Sequence, residues 1–543
     1  MRWSLSALRR LKLKKKHVEI EPMAVQAAEG ESRLMRSGII VSGMTFLSRI
    51  LGLARDVVLA YFFGASANAD AFFLAFKIPN FFRRMFAEGA FSQAFVPVLA
   101  EAKRSGKEAV QDLIHYVSGA LGCVLFGITV LGVLGSAYLV MLFGFGYVIQ
   151  EDDAQLQLAG QLLKFTFPYL ALISLTAFAG SILNAFGKFA VPAFTPVILN
   201  LCLIAGAFLG QEYLDLPVEG LAISVLVAGL LQLGFQLPSL ARLGLVPIPK
   251  LNVRHPRVKQ VFVLMLPALF GASVSQLNLL IDTMLATFLV KGSISWLYYA
   301  DRLLELPLAL IGIALATVIL PSLSADAAED DMAAFSSKLD WGLRWVAILG
   351  VPASVALLVL AEPLITTIFY RGAMTALDVS MAALALQAYA AGLLGHMFVK
   401  ILAPGFFARQ DMKSPVEIGI VALVSNMILN ALLIVWLGHI GLALATSASA
   451  FINAFLLWRR LRKNEVYRPL SGWPKLALQI VVATVVMVLG IEFVVPATDQ
   501  WLSADVSVKA TWLLSLSLGG AMLYGIVMLL LGVRPAQLRN VDQ

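Results

Sequence analysis

Residues 48–97 read SRILGLARDVVLAYFFGASANADAFFLAFKIPNFFRRMFAEGAFSQAFVP. The two arms of this stretch are long and apolar enough to be membrane helices, yet ionisable side chains run through both of them. The eight side chains are Arg49, Arg55, Asp56, Asp70, Lys77, Arg83, Arg84 and Glu88. A charge at the centre of a bilayer costs on the order of 2.5–3.5 kcal/mol, so such residues usually face a water-filled cavity. We therefore expect this stretch to form one wall of a polar cavity inside a membrane protein.

Helical spacing predicts which of these charges share a face. Residues seven apart return to nearly the same face of an α-helix, so Asp70, Lys77 and Arg84 form one stripe. Arg49 and Asp56 form a second stripe on the preceding helix. The eight charges comprise five positive and three negative groups, so pairing among themselves leaves a cationic surplus. A cavity of this kind suits an anionic ligand.

The second arm also contains a proline. Pro79 has no backbone N–H, and its ring biases Ile78 away from helical geometry. Broken helices near the middle of the membrane are typical of transport sites. We therefore expect a break or kink midway along this arm.

Composition assigns the whole chain to the membrane. Of its 543 residues 59% are hydrophobic and only 14% are charged, and the mean hydropathy is +0.84. These values exclude an ordinary soluble domain and predict an all-α polytopic membrane protein. The net charge of +8 then reflects basic cytoplasmic loops and not a nucleic-acid-binding surface. Cys123 and Cys202 lie in apolar runs, and we expect two packed free thiols and no disulfide.

The apolar runs after residue 36 predict fourteen spanning segments. They lie near 37–63, 69–100, 110–145, 157–186, 191–211, 217–241, 259–290, 294–323, 338–370, 377–407, 414–437, 440–459, 474–496 and 508–532. The loops between them alternate in charge, and the basic loops fall on the side of both termini. The positive-inside rule then predicts that both termini are cytoplasmic.

A basic tail precedes the first span. Residues 1–34 are rich in Arg and Lys and contain no apolar core of a signal peptide. The tail is expected either to attract anionic lipids of the cytoplasmic leaflet or to be a disordered extension or misassigned start.

The chain repeats itself in one orientation. The series Asp56, Lys77, Pro97 matches the series Asp282, Arg302, Pro321, and FVPVLAEA (95–102) matches ILPSLSAD (319–326). A second echo pairs LNAFGKFAVP (183–192) with PGFFARQDMKSP (404–415). Repeats of this sort are typical of alternating-access transporters. We therefore predict a six-helix N-lobe (35–245), a six-helix C-lobe (246–465) and two further helices with a C-terminal tail (466–543).

The repeat suggests where an anionic ligand binds. Arg302 occupies the repeat position of Lys77, although Glu305 lies one turn away and could pair with it. An arginine fork matches phosphate oxygens well, so we predict phosphate ligands from Arg55, Arg83 or Arg84, and Arg302. Nearby side chains that could contact sugar or peptide, or form an interfacial aromatic belt, are Ser295, Trp296, Tyr298 and Tyr299.

A separate polar set combines Asp282, Asn426, Asn430 and Thr446. Oxygen ligands of this kind could bind Na⁺, or the side chains could hydrogen-bond helix to helix. The sequence favours the second interpretation.

Several kinds of chemistry have no counterpart in the sequence. There is no phosphate-binding G-x-x-x-x-G-K-[ST] motif, and no His, Cys or carboxylate set has metal-ligand spacing. We therefore expect a transporter and not an enzyme, driven by an ion gradient or by the membrane potential.

Four runs resemble the MurJ (MviN) family of bacterial lipid II flippases, in the multidrug/oligosaccharidyl-lipid/polysaccharide exporter superfamily. They are SRILGLARD (48–56), DAFFLAFKIPNFFRRMFAEGAFSQAFVP (70–97), SWLYYADRLLELP (295–307) and LAPGFFARQDMKSP (402–415). The resemblance implies fourteen helices in two lobes in the cytoplasmic (inner) membrane. It implies transfer of lipid II, the undecaprenyl-pyrophosphate-linked peptidoglycan precursor, to the outer face for cell wall biosynthesis. The lipid tail would stay in the bilayer or in a groove of helices 13 and 14.

The resemblance also assigns residues. The family's cavity charges correspond to Arg49, Arg55, Asp70, Arg83 and Arg302, with Glu88 and Glu305 nearby. A Na⁺ site of some members corresponds to Asp282, Asn426, Asn430 and Thr446, but Asn430 stands where an aspartate is expected. The alternatives are a flippase or exporter of another lipid-linked oligosaccharide or a drug, and a non-transporting scaffold of the cell-wall machinery, itself a candidate partner.

Overall fold

The computed structural model describes residues 38, 40–84, 91–252 and 255–533, without the side chains of 266–275 and 313. The basic tail (1–34), Glu88 and the end of the chain after residue 533 lie outside the described residues.

The first part of the chain forms helices α1 to α10. Their bounds are 40–63 for α1, Ala67–Arg83 for α2, Phe91–Arg104 for α3, Lys107–Leu134 for α4, Ser136–Phe143 for α5, Phe145–Ile149 for α6, Asp153–Thr166 for α7, Tyr169–Ala185 for α8, Ala190–Tyr213 for α9 and Pro217–Leu243 for α10.

The second part forms helices α11 to α21. Their bounds are Pro256–Ala286 for α11, Ser293–Pro307 for α12, Ala314–Ala328 for α13, Met332–Val359 for α14, Ala361–Phe369 for α15, Ala376–Leu402 for α16, Pro404–Phe407 for α17, Lys413–Lys463 for α18, Trp473–Val494 for α19, Thr498–Ser503 for α20 and Val506–Leu530 for α21. A π-helical turn, Leu308–Ile313, joins α12 to α13. Gly438, with φ 54° and ψ −130°, divides α18 into two arms.

The described residues contain helices and no strand, and ten helical stretches are long and apolar enough to cross a membrane. Large apolar side chains cover their outward faces: Phe493 is 91% exposed and Trp436 is 85% exposed. A water-soluble protein rarely exposes apolar surface on this scale. The protein is therefore an all-helical, multi-span membrane protein, as the composition predicts.

The second arm of the 48–97 stretch differs from the prediction. It contains two helices, α2 and α3, with residues 85–90 between them outside the described part. Helix α2 starts where Ser66 Oγ accepts a hydrogen bond from the backbone N–H of Ala69 and continues through Pro79 to Arg83. Helix α2 therefore does not end at Ile78, since a helix can pass a proline when only one ladder bond is lost, and the kink midway along this arm stays a prediction.

Apolar packing divides the bundle into three clusters. The largest joins the first and second parts of the chain, and Phe73 of α2 lies in it beside Tyr299 of α12. A second cluster lies around α3, α4 and α8. The third contains the inner faces of α19 and α21 with part of α14, including Ile348, Met487 and Tyr524. The α19–α21 pair thus packs against the rest of the bundle through α14 and α15.

Candidate substrate-binding site

Two arginines from opposite parts of the chain meet at one carboxylate. Arg55 Nη2 and Nε donate to Asp56 Oδ1 at 2.6 and 2.9 Å, and Arg302 Nε lies 3.5 Å from Asp56 Oδ2. The side chains of Arg55 and Asp56 are 8% and 2% exposed, whereas that of Arg302 is 29% exposed. The two guanidinium groups share Asp56 as a counter-ion, and Arg302 also pairs with Glu305, so an incoming anion meets two guanidinium forks close together.

Tyr298 holds this centre in place. Its hydroxyl accepts from Arg55 Nη2 at 3.0 Å and donates to Asp56 Oδ1 at 2.8 Å. Its ring stacks on Phe73 with centroids 4.0 Å apart and lies 4.9 Å from the Arg302 guanidinium carbon. One side chain thus orients both cations.

Asn200 is a residue of this centre that the sequence reasoning missed. Its Oδ1 accepts from Arg55 Nη1 at 3.0 Å, and its Nδ2 donates to the carbonyl of Ser48 at 3.0 Å. The available signal was a single amide within the apolar run of α9, where a buried polar group needs a partner.

The contacts between the two parts of the chain follow the internal repeat. Asp56 contacts Arg302, and at the equivalent place Lys77 Nζ donates to Thr283 Oγ1 at 2.7 Å, next to Asp282. The aspartate helices α1 and α11 thus face the cation helices α12 and α2. This crosswise pairing is the arrangement expected of two related halves around one cavity.

The other predicted charges take varied positions. Arg83 Nε donates to Asn80 Oδ1 at 3.0 Å, and Arg84 Nη1 donates to Gln276 Oε1 of α11 at 3.4 Å. Arg302 Nη1 pairs with Glu305 Oε2 at 3.0 Å. Arg49 is exposed on α1, and the described residues supply it with no hydrogen bond or ion pair.

Asp70 is held by the backbone of another helix. Its Oδ2 accepts from Gly292 N–H at 2.6 Å, and its Oδ1 accepts from Ser295 N–H at 2.9 Å and Ser295 Oγ at 2.6 Å. This carboxylate from α2 therefore caps the N-terminus of α12, where the helix dipole favours an anion. Asp70 is buried and is about two helical turns from Arg302 along α12.

The polar and aromatic residues before Arg302 are buried and bonded within the protein, so the interfacial aromatic belt is wrong for them, while the contact with sugar or peptide stays a prediction. Trp296 Nε1 donates to Asp378 Oδ1 at 2.9 Å, and Tyr299 Oη donates to the carbonyl of Gly64 at 3.0 Å.

Two glycines, Gly64 and Gly372, allow the first and second parts of the chain to approach each other closely near the Asp70 cap. Ala373 N–H donates to the carbonyl of Tyr61 at 2.8 Å. A Cβ on Gly64 would lie 2.5 Å from the Ala373 carbonyl oxygen, and one on Gly372 would lie 2.2 Å from that of Tyr61. Both glycines have φ near +56°, which other residues rarely adopt. We call this region, residues 61–66, 287–295 and 370–375, the closed end.

The polar set around Asp282 is bonded to itself. Asn430 Nδ2 donates to Asp282 Oδ1 at 2.7 Å and to Asn426 Oδ1 at 2.8 Å, and Thr446 Oγ1 donates to Asp282 Oδ2 at 3.0 Å. Hydrogen-bond donors thus occupy both Asp282 oxygens and Asn426 Oδ1, whereas Asn430 Oδ1 is buried without a hydrogen-bond partner. The set joins α11 to both arms of α18, and the Na⁺ site stays a prediction.

The described residues contain no group of three or more His, Cys or carboxylate side chains placed to hold a metal ion. Cys202 is half-buried, but Cys123 is exposed on α4, so the expectation that both thiols are packed is wrong for Cys123.

Comparison with known proteins identifies the chain. The family model described as "Lipid II flippase MurJ" matches residues 59–508. The chain belongs to the lipid II flippase MurJ family. The probable lipid II flippase MurJ of Vibrio cholerae is 48% identical over 94% of this chain and 98% of its own length. The lipid II flippase MurJ of Burkholderia cenocepacia is 44% identical over 84% and 89%.

Solved structures agree with this membership of the MurJ family. A structure titled "Lipid II flippase MurJ, inward closed conformation" has a TM-score of 0.76 and 29% identity, and covers 90% of this chain and 98% of its own. An inward-facing transporter of the MATE family of the MOP superfamily has a TM-score of 0.66 at 14% identity over 79% and 98%. The second likeness concerns the fold alone. The family is one of transporters and not of enzymes.

Proposed function

We propose that this protein is a flippase that carries lipid II from the inner to the outer face of the bacterial inner membrane by alternating access, for cell wall biosynthesis. The observation that supports this most directly is the pair Arg55 and Arg302 on one buried carboxylate. A pyrophosphate can replace Asp56 between these two forks, because it offers more oxygens and more charge to the same donors.

We extend the proposal to the topology. The chain would cross the membrane fourteen times, with α18 spanning twice around Gly438, in an N-lobe (35–245), a C-lobe (246–465) and a final pair of helices (466–543). Both termini would be cytoplasmic, as the basic loops predict. The closed end then faces the outside.

The mechanism follows from which contacts cross between the halves. The Asp70 cap and the contact of Gly64 with Gly372 seal the closed end. Headgroup binding would draw Arg55 and Arg302 from Asp56 to the pyrophosphate, and separation of the halves at the closed end would release it outward. Arg83, Arg84 and Lys77 would guide the anion to this centre, and Arg49, Glu88 and Glu305 would border it.

A groove beside the cavity suits the lipid chain. This groove has a volume of about 510 Å³, lies between α14 and the α19–α21 pair, and is lined by apolar side chains, including Ile348, Ala353, Met487 and Tyr524. We propose that the polyprenyl chain runs in this groove while the headgroup crosses through the cavity. No step needs Na⁺ at the Asp282 set. The membrane potential, worth about 2.3 kcal/mol per charge per 100 mV, would drive the cycle.

The test uses cells depleted of this protein that express variants at equal level. Lipid II exposed to a reagent confined to the outer face is compared with total lipid II. Arg55→Gln and Arg302→Gln should lower outward exposure while total lipid II accumulates. The control Arg460→Gln alters an exposed arginine paired with Glu417 and should restore exposure. Normal exposure with Arg55→Gln and Arg302→Gln would refute the site, and normal exposure after depletion would favour another cargo or a scaffold.

A further inference from the structure

A single buried carboxylate accepts hydrogen bonds from the segment that connects α18 to α19. Asp340 of α14 is 0% exposed. Its Oδ1 accepts from Tyr467 Oη at 2.7 Å, Trp473 Nε1 at 2.8 Å and Leu470 N–H at 3.3 Å, and its Oδ2 accepts from Arg344 Nε at 2.6 Å. An ionised carboxylate is the one side chain group of its size that accepts all four bonds and donates none.

A second layer of contacts fixes the same connection to α14. Arg344 Nη2 donates to the carbonyl of Ser471 at 2.7 Å, and its guanidinium carbon lies 5.4 Å from the Trp473 ring. One turn before Asp340, Ser336 Oγ accepts from Arg468 N–H at 2.9 Å. The connection is thus bonded to α14 along two turns.

The bonds to Asp340 and Arg344 lie where the chain enters the α19–α21 pair, so they bear on the position of that pair against α14. The α19–α21 pair meets α14 through one apolar cluster of buried side chains, including Ile348, Met487 and Tyr524. Inside a bilayer, apolar helix faces gain little by leaving lipid for each other, so polar contacts and close packing decide how helices sit. Trp345, directly after Arg344, already lines the groove between α14 and this pair.

We propose that Asp340 is a positioning residue that sets the width of the apolar groove, and through it the selectivity for long lipid chains. The Asp340 clamp, comprising Asp340, Arg344, Tyr467 and Trp473, holds the start of α19 on α14. The pair therefore keeps one distance from α14 while the halves move. The part about lipid chains rests on the proposed function, whereas the part about helix position does not.

The first experiment measures helix position without any lipid substrate. Spin labels at the exposed positions Leu358 of α14 and Leu518 of α21, in a background without native cysteines, report the groove width by double electron–electron resonance. Asp340→Asn keeps the shape and one acceptor oxygen, but its NH₂ group faces either Arg344 or the three donors at Oδ1, so the distance distribution should broaden. The matched control Asp326→Asn removes a buried carboxylate whose side-chain bond among the described residues is to Lys338, and the distribution should stay narrow.

Tyr467→Phe removes one donor of the clamp and covers the case in which Asp340→Asn does not fold. It should broaden the distribution less and in the same direction. A distribution as narrow as that of the wild type in both clamp variants overturns the proposal.

The second experiment separates positioning from plain destabilisation. Binding of lipid II and of an analogue with the same headgroup on a short farnesyl chain is measured in nanodiscs. Asp340→Asn should reduce the preference for the long chain by roughly tenfold, the effect of one lost charged hydrogen bond on an equilibrium constant. Asp326→Asn should keep the preference. An equal loss for both lipids overturns the proposal. A wild type that binds neither lipid refutes the proposed function, and the distance measurement distinguishes that result because it uses no lipid.

Discussion

The Asp70 cap gives the sharpest test of how the closed end is held. Asp70→Asn keeps one acceptor oxygen for Ser295 but presents an amide to the Gly292 N–H, which it approaches at 2.6 Å in the wild type. One hydrogen bond to a charged group is worth about 1.5–3 kcal/mol, and the charge at a helix N-terminus adds about 1 kcal/mol. The closed arrangement should therefore lose about 2.5–4 kcal/mol, or roughly two to three orders of magnitude in its population relative to an open one.

The assay for this prediction is a distance across the closed end. Spin labels at the exposed positions Leu216 in the first half and Leu377 in the second report its opening. Asp70→Asn should shift the distribution to longer distances. The control is Asp378→Asn, since Asp378 is also buried and bonds Trp296 and Thr375 of its own half.

The same distribution in both variants would refute the reasoning, because it would mean that the bonds of Asp70 between the halves carry no special weight. A shift that appears with Asp378→Asn alone would contradict it equally.

Three further predictions concern other parts of the bundle. Asn430→Asp adds a second carboxylate at the Asp282 set, so the variant should bind Na⁺. NaCl should then raise the melting temperature of the variant, whereas choline chloride should not, and neither salt should raise that of the wild type. At a Na⁺ concentration a hundredfold above its dissociation constant, the stabilisation should be about 2.7 kcal/mol. Gly372→Ala should open the closed end because its Cβ meets a carbonyl oxygen at 2.2 Å, whereas Gly187→Ala, at φ +74° with open space, should leave the Leu216–Leu377 distance unchanged. The hydrogen bond from Lys291 holds the pKa of the Asp152 carboxyl below its usual value of about 3.9. A carboxylate with a lowered pKa stabilises its ion pair above the usual pKa, and this stabilisation is lost as the pH falls through the lowered pKa. The Leu216–Leu377 distance should therefore stay constant from neutral pH to about pH 5 and increase only below about pH 4, with a loss of at most about 1 kcal/mol because the Lys291 side chain is 58% exposed. Asp152→Asn should remove this response to acid.

The membrane class and the positions of most long apolar helices could be predicted from the amino-acid sequence, whereas the residues of the cavity stay a prediction. Hydropathy is a local property: Trp473–Val494 and Val506–Leu530 fall within a few residues of the predicted segments at 474–496 and 508–532. The repeat in the sequence likewise predicts equivalent positions for Lys77 and Arg302. These features depend on composition and spacing along one helix, which a single chain displays directly.

Which charges meet, by contrast, depends on how the helices pack. Asp56 and Tyr298 are 242 residues apart, and spacing within a helix gives no information about such a pair. Asp70 shares a stripe with Lys77 by spacing, yet its carboxylate serves the N-terminus of another helix. Asp340 carried no signal at all, because a lone aspartate near a helix end is usually solvated. Its four donors come together only when the segment after α18 folds back on α14. Once these groups are buried they have no water to bond, so each donor needs an acceptor within the protein.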